Sequence, residues 1–106
     1  MRLTESLDVL PTAVREKAKE CTIHVKLRLN GYRGGETYVV EDQHVCLPRM
    51  NARLDLSMAL IAEWYALENH GMRVFSMESI TELAPNHLRI KFIMIPHIEG
   101  EVNDSY

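Results

Sequence analysis

Between Thr22 and Asn30 the chain reads TIHVKLRLN, and Ile23, Val25, Leu27 and Leu29 alternate strictly with His24, Lys26 and Arg28. Successive side chains of an extended strand point to opposite faces, so a period of two marks a strand with one dry side and one wet side. Wound into a helix, the same four apolar side chains would be scattered around the axis. A strand of this kind requires a sheet to pair with and an apolar layer to cover its dry face. This one segment therefore restricts the chain to folds that contain a half-covered sheet.

The flanking segments say what covers it. After Pro11 the run TAVREKAKEC places Val14, Ala18 and Cys21 on one helical stripe, with Arg15, Glu16, Lys17, Lys19 and Glu20 elsewhere, which predicts a short amphipathic helix entered near proline. The loop NGYRGG, residues 30–35, carries three glycines and an asparagine and turns the strand back into ETYVVED as a hairpin. Whether pairing continues into QHVCLP is left open by the pattern. Beyond Pro48, RMNARLDLSMALIAEWYALENHG reads as a long helix. Asn51 is its N-cap, Asp55 sits near the positive end of the dipole, and Gly71 supplies a left-handed C-cap. Its buried stripe is Leu54, Met58, Ile61, Ala62 and Tyr65, widened by Leu60, Trp64 and Leu67.

Two further strands flank the turn signal APNH, and in the last of them Leu88, Ile90, Phe92 and Met94 alternate with Arg89, Lys91 and Ile93 until Pro96 ends the pattern. The element order is α–β–β–α–β–β. It predicts a two-layer α+β fold, a four-stranded antiparallel sheet with a short N-terminal helix and one long central helix on one face. At 106 residues, 46% hydrophobic and 25% charged, the chain is expected to form one domain over 1–96, with an acidic, partly disordered tail over 97–106.

With the apolar sides of the first and last strands turned to the helix, Lys26 and Arg28 share an open face with Arg89 and Lys91, and His24 lies among them. The long helix has acidic residues and no Lys or Arg between Asp55 and Glu68, so the molecule is expected to be electrically polarised. Lys26, Arg28, Arg89 and Lys91, together with Tyr32 and Arg33 at the hairpin tip, are the candidate partner-binding residues. Ile93 and Ile95 have the same outward parity and would leave an apolar end on that face, a candidate homodimer interface.

A net charge of −3 argues against a surface built throughout to neutralise phosphates, although it permits a local basic face. The basic strands carry no outward aromatic on which bases would stack, and no RNA-binding glycine–aromatic signature is present. The five histidines match no metal-ligand spacing, and His97, Glu99 and Glu101 form only a surface tract, so neither a metal nor a cofactor is expected. His44 and Cys46 share a strand face without an orienting third group, and NGYRGG lacks the phosphate-loop spacing. Cys21 and Cys46 read as small packing residues.

Only two cysteines with no CxxC, an N-terminal segment without an apolar signal core and no membrane-length apolar run predict a soluble cytoplasmic protein. No residue set meets the demands of catalysis, so the expectation is a non-enzymatic interaction protein that binds and modulates a larger protein or protein–nucleic-acid complex. A phage- or plasmid-type inhibitor of a host nucleic-acid enzyme or defence complex is the example of that class. Direct nucleic-acid binding by the basic sheet face is the second expectation. A small enzyme using His24 or His44 as a base is the third.

Overall fold

A computed structural model describes residues 7–28, 35–48 and 54–97. A 3-10 turn at Leu7–Val9 precedes the helix α1 (Thr12–Arg15). Then come strands β1 (Lys19–Arg28), β2 (Gly35–Val40) and β3 (Gln43–Pro48), the long helix α2 (Leu54–His70), and strands β4 (Met72–Ala84) and β5 (His87–Pro96). The strands form one antiparallel sheet in the order β3-β2-β1-β5-β4. The mixed α+β class, the antiparallel sheet and the two helices are as the sequence predicts.

The sheet differs from expectation in having five strands among the described residues, in the element order α–β–β–β–α–β–β. ETYVVED does not run on as one strand: the chain reverses at Glu41 and Asp42, both left-handed at φ 46° and 68°, and QHVCLP pairs back on it from Val40↔Gln43 to Gly35↔Pro48. Glu-Asp lacks the usual Asn-Gly signal for such a turn. Long-range bonds hold it instead. The Glu41 amide donates to the His24 carbonyl at 3.3 Å, and the His24 amide donates to Glu41 Oε1 at 3.1 Å.

The first helix is also shorter than the stripe Val14, Ala18, Cys21 implies. It stops at Arg15, and the chain joins the sheet at Lys19, with Cys21 opposite Phe92. Pro11 is its N-cap, and the Pro11 carbonyl accepts from the amides of Val14 and Arg15. A four-residue helix offers little of its own, whereas each residue added to β1 gains a ladder partner on β5.

The remaining signals perform as read. Gly71 lies at φ 62° and its amide closes on the Leu67 carbonyl at 3.0 Å, the left-handed stop predicted for α2. Pro85 and Asn86 make the β4–β5 turn, with Asn86 at φ 60°, and the Asn86 carbonyl accepts from the Leu27 amide, which ties the turn to β1. The proposed cap Asn51, the hairpin tip with Tyr32 and Arg33, and positions 98–106 of the expected tail lie outside the described residues.

The core fills the space between α2 and one sheet face. Met58, Ile61, Ala62 and Ala66 of α2 meet Ile23, Val25, Tyr38, Val40, Val45, Leu88, Ile90, Phe92 and Met94. Trp64 and Tyr65 are both half-buried against this cluster, whereas Leu60 and Leu67, expected to widen the buried stripe, are 43% and 55% exposed. β4 is an edge strand whose register slips at three bulges, a device that bends an edge away from further pairing.

One expectation fails on β5. The apolar end foreseen at Ile93 and Ile95 is already covered by the chain itself, the two residues being 9% and 2% exposed. They stand outside the cluster under α2, on the strand against which α1 lies. From Phe92 to Ile95 every residue of β5 is buried, so the strand is covered on both faces and offers no free apolar patch there for a second copy.

Candidate functional site

The pairing register decides which side chains meet on the face away from α2. Because β1 and β5 are neighbours, His24 lies opposite Arg89, Thr22 opposite Lys91, and Lys26 opposite His87. On the other side of β1, Lys26 faces Val39 and Arg28 faces Thr37, and those residues face His44 and Cys46 of β3. Lys26, Arg28, Arg89 and Lys91 are thus brought into one strip across two adjacent strands. Lys26, Arg28 and Arg89 are exposed. Lys91 is half-buried, and its Nζ stands 3.3 Å from Glu20 Oε1.

One end of the strip is a shallow depression of about 200 Å³ lined by His24, Lys26, Val39, Glu41, Asp42 and His87. The rings of His24 and His87 stand 5.7 Å apart at 57°. His24 Nδ1 lies 3.4 Å from Glu41 Oε1, so the turn carboxylate that holds the β2–β3 reversal also steadies this imidazole. His87 Nε2 is buried without a hydrogen-bond partner. Alternation along β5 gives His87 the outward parity of Arg89 and Lys91, and the register sets it opposite Lys26 and beside His24.

An imidazole beside a carboxylate has the ingredients of a general base, but the lining of the depression holds no hydroxyl or thiol. His44 is exposed on the edge strand, and Cys46 beside it is exposed and lies 3.7 Å from Thr37 Oγ1. Cys21 faces the core side, where burial, and then the charge of Glu41, push its thiol above the ordinary range. Tyr65 is raised for the same first reason, with smaller contributions from Cys21 and Glu41. Among the described residues no cluster of His, Cys, Asp or Glu has the grouping a metal ion needs.

The opposite side of the molecule carries the other sign. The acidic residues of α2 are Asp55, Glu63 and Glu68, and the helix lies across the sheet from the basic strip. The expected polarity is partial, because Glu20, Glu41 and Asp42 stand beside the basic strip itself. No Phe, Tyr or Trp occupies an open-face pairing position of β1, β2, β3 or β5 among the described residues. Phe75 of β4 falls at a bulge and is half-buried, and its neighbour Val74 faces the core as an outward Phe75 would require. No helix among the described residues is long and apolar enough to cross a membrane. No protein-family model, curated protein or solved structure matches the chain.

Proposed function

We propose that the chain is a non-catalytic binding module that docks an acidic surface of a larger macromolecular partner on the open face of its sheet and modulates that partner. The observation that carries this reading is the register of β1 on β5, which merges two basic rows into one strip, with Asp55, Glu63 and Glu68 of α2 across the sheet from it. Such polarity orients an encounter as well as strengthening it. A small inhibitor of a nucleic-acid enzyme or defence complex, of the phage or plasmid kind, is the example of this class.

Direct nucleic-acid binding is the second reading, favoured by the same cationic strip and disfavoured by its lack of stacking side chains. The two separate by titration. Fluorescence anisotropy of single-stranded and duplex oligonucleotides against the protein is measured at about 50 and about 300 mM salt, beside labelled polyglutamate. If Lys26, Arg28 and Arg89 neutralise three phosphates, affinity falls roughly 100-fold over that range. Oligonucleotide binding of that slope, lost in Lys26→Glu with Arg28→Glu, would establish the second reading. Polyglutamate binding lost in the same variant, with weak oligonucleotide binding, supports the first. Indifference of both ligands to the variant defeats both.

A further inference from the structure

The outer surface of α2 is not the polar face that a helix on a sheet normally shows to water. Leu56, Leu60 and Leu67 are 46%, 43% and 55% exposed. At 3.6 residues per turn they fall within about 40° of arc, roughly opposite the stripe of Met58, Ile61, Ala62 and Ala66 that enters the core. Trp64 flanks the outer stripe and is half-buried against the core cluster. α2 therefore carries two apolar stripes, and the chain's own sheet covers only one. Exposed leucines occurring singly are ordinary, whereas these three are in register along one helix.

The charges around the stripe say what fits it. Glu63 lies about 20° beyond the Leu56 edge of that arc, its Oε2 accepting from the Val74 amide at 3.4 Å, Glu68 directly follows Leu67, and Asp55 precedes Leu56. No Lys or Arg occurs in the helix. A second copy packed stripe to stripe would bring these carboxylates together, and three half-exposed leucines fall well short of the ~800 Å² per partner typical of a stable interface. The chain's own residues 98–106 hold Glu99, Glu101 and Asp104 without a basic residue, so they carry the same sign.

We propose that the outer face of α2 docks a cationic amphipathic helix of another protein, its leucines received between Leu56, Leu60 and Leu67 and its Lys or Arg residues set against Glu63 and Glu68. This is helix recognition by spaced apolar anchors with a charged rim. It uses the face remote from the basic strip, so the module would hold two partners, or two parts of one, on opposite sides. The reading stands or falls independently of the sheet face.

The probe is a leucine–lysine amphipathic peptide of seventeen residues, the length of α2, titrated into the full chain. Trp64, the chain's one tryptophan, reports binding from beside the stripe. The expected result is a saturable change in Trp64 emission, weakened at least tenfold by Leu60→Glu and separately by Leu67→Glu, and unchanged by Lys26→Glu. Both glutamate variants replace exposed residues, and circular dichroism checks that they remain folded. A leucine–glutamate peptide, and a scrambled leucine–lysine peptide without a continuous apolar face, should bind at least tenfold more weakly. Equal binding of either control, no response to the probe, or full affinity in both glutamate variants overturns the proposal. So does concentration-dependent dimerisation of the chain alone that Leu60→Glu abolishes, since the occupant would then be a second copy.

Discussion

Replacing Ile95 by alanine tests whether β5 is buried on both faces by the chain itself. Ile95 is 2% exposed and pairs with Arg73 of the edge strand, on the side of β5 away from α2. Removing three methyl or methylene carbons from a closed site forfeits their transfer energy and leaves a cavity, a change that costs about 2–5 kcal/mol in well-packed interiors. We take about 3 kcal/mol, because neighbouring Ile93, at 9% exposure, has some room to relax. For a domain near 100 residues that corresponds to a fall in Tm of roughly 10–20 °C. Ile95→Val should cost about 1 kcal/mol. Val9→Ala, at a site 73% exposed, should lie within about 0.5 kcal/mol of the parent and serves as the control. Urea unfolding followed by circular dichroism measures all three, and sedimentation velocity is run alongside. If Ile95→Ala unfolds at the same midpoint as Val9→Ala, burial within the chain is refuted. It is equally refuted if the parent sediments as a dimer that Ile95→Ala turns into a folded monomer.

Gly71→Ala should destabilise by about 1 kcal/mol in a thermal melt, purely through its left-handed φ of 62°, because no atom lies within 4 Å of the added Cβ. At the β2–β3 turn, Asp42→Gly relieves a left-handed residue and should raise stability by up to about 1 kcal/mol. Glu41→Gly also loses the carboxylate bonded to the His24 amide and should lower it by about 1 kcal/mol; opposite signs in urea melts are the expected signature. Because burial raises the Cys21 thiol while Cys46 is exposed, one thiol should react quickly with Ellman's reagent at neutral pH, and Cys46→Ser should remove that fast phase. Loss of the slow phase instead would place the reactive thiol at Cys21.

How much of this was legible in the residues differs from element to element. Strict alternation in β1 and β5 specified which side chains of each strand would share a face, because the period of two is a property of the extended backbone alone. Gly71 and the Pro85–Asn86 turn were readable for a similar reason: a left-handed φ and a fixed proline φ are local costs that few residue types meet. The sign of α2's charge needed only its composition. From these local facts came the α+β class and the basic character of Lys26, Arg28, Arg89 and Lys91.

Tertiary structure decided what depends on partners distant in sequence. Residues 16–21 have helical periodicity, yet ladder bonds to β5 drew Lys19–Cys21 into β1, since pairing outweighs a propensity of a few tenths of a kcal/mol per residue. The fifth strand is paired along β2, and its turn is tied to β1 by the Glu41 carboxylate on the His24 amide, a contact seventeen residues away that no turn motif announces. Strand order set β1 beside β5, which made one strip of two rows and brought His87 to His24. The same packing reversed two assignments of apolar residues: Ile93 and Ile95 went inside, while Leu60 and Leu67 stayed out. Periodicity says that side chains share a face; only the packing of one element on another says which face is covered.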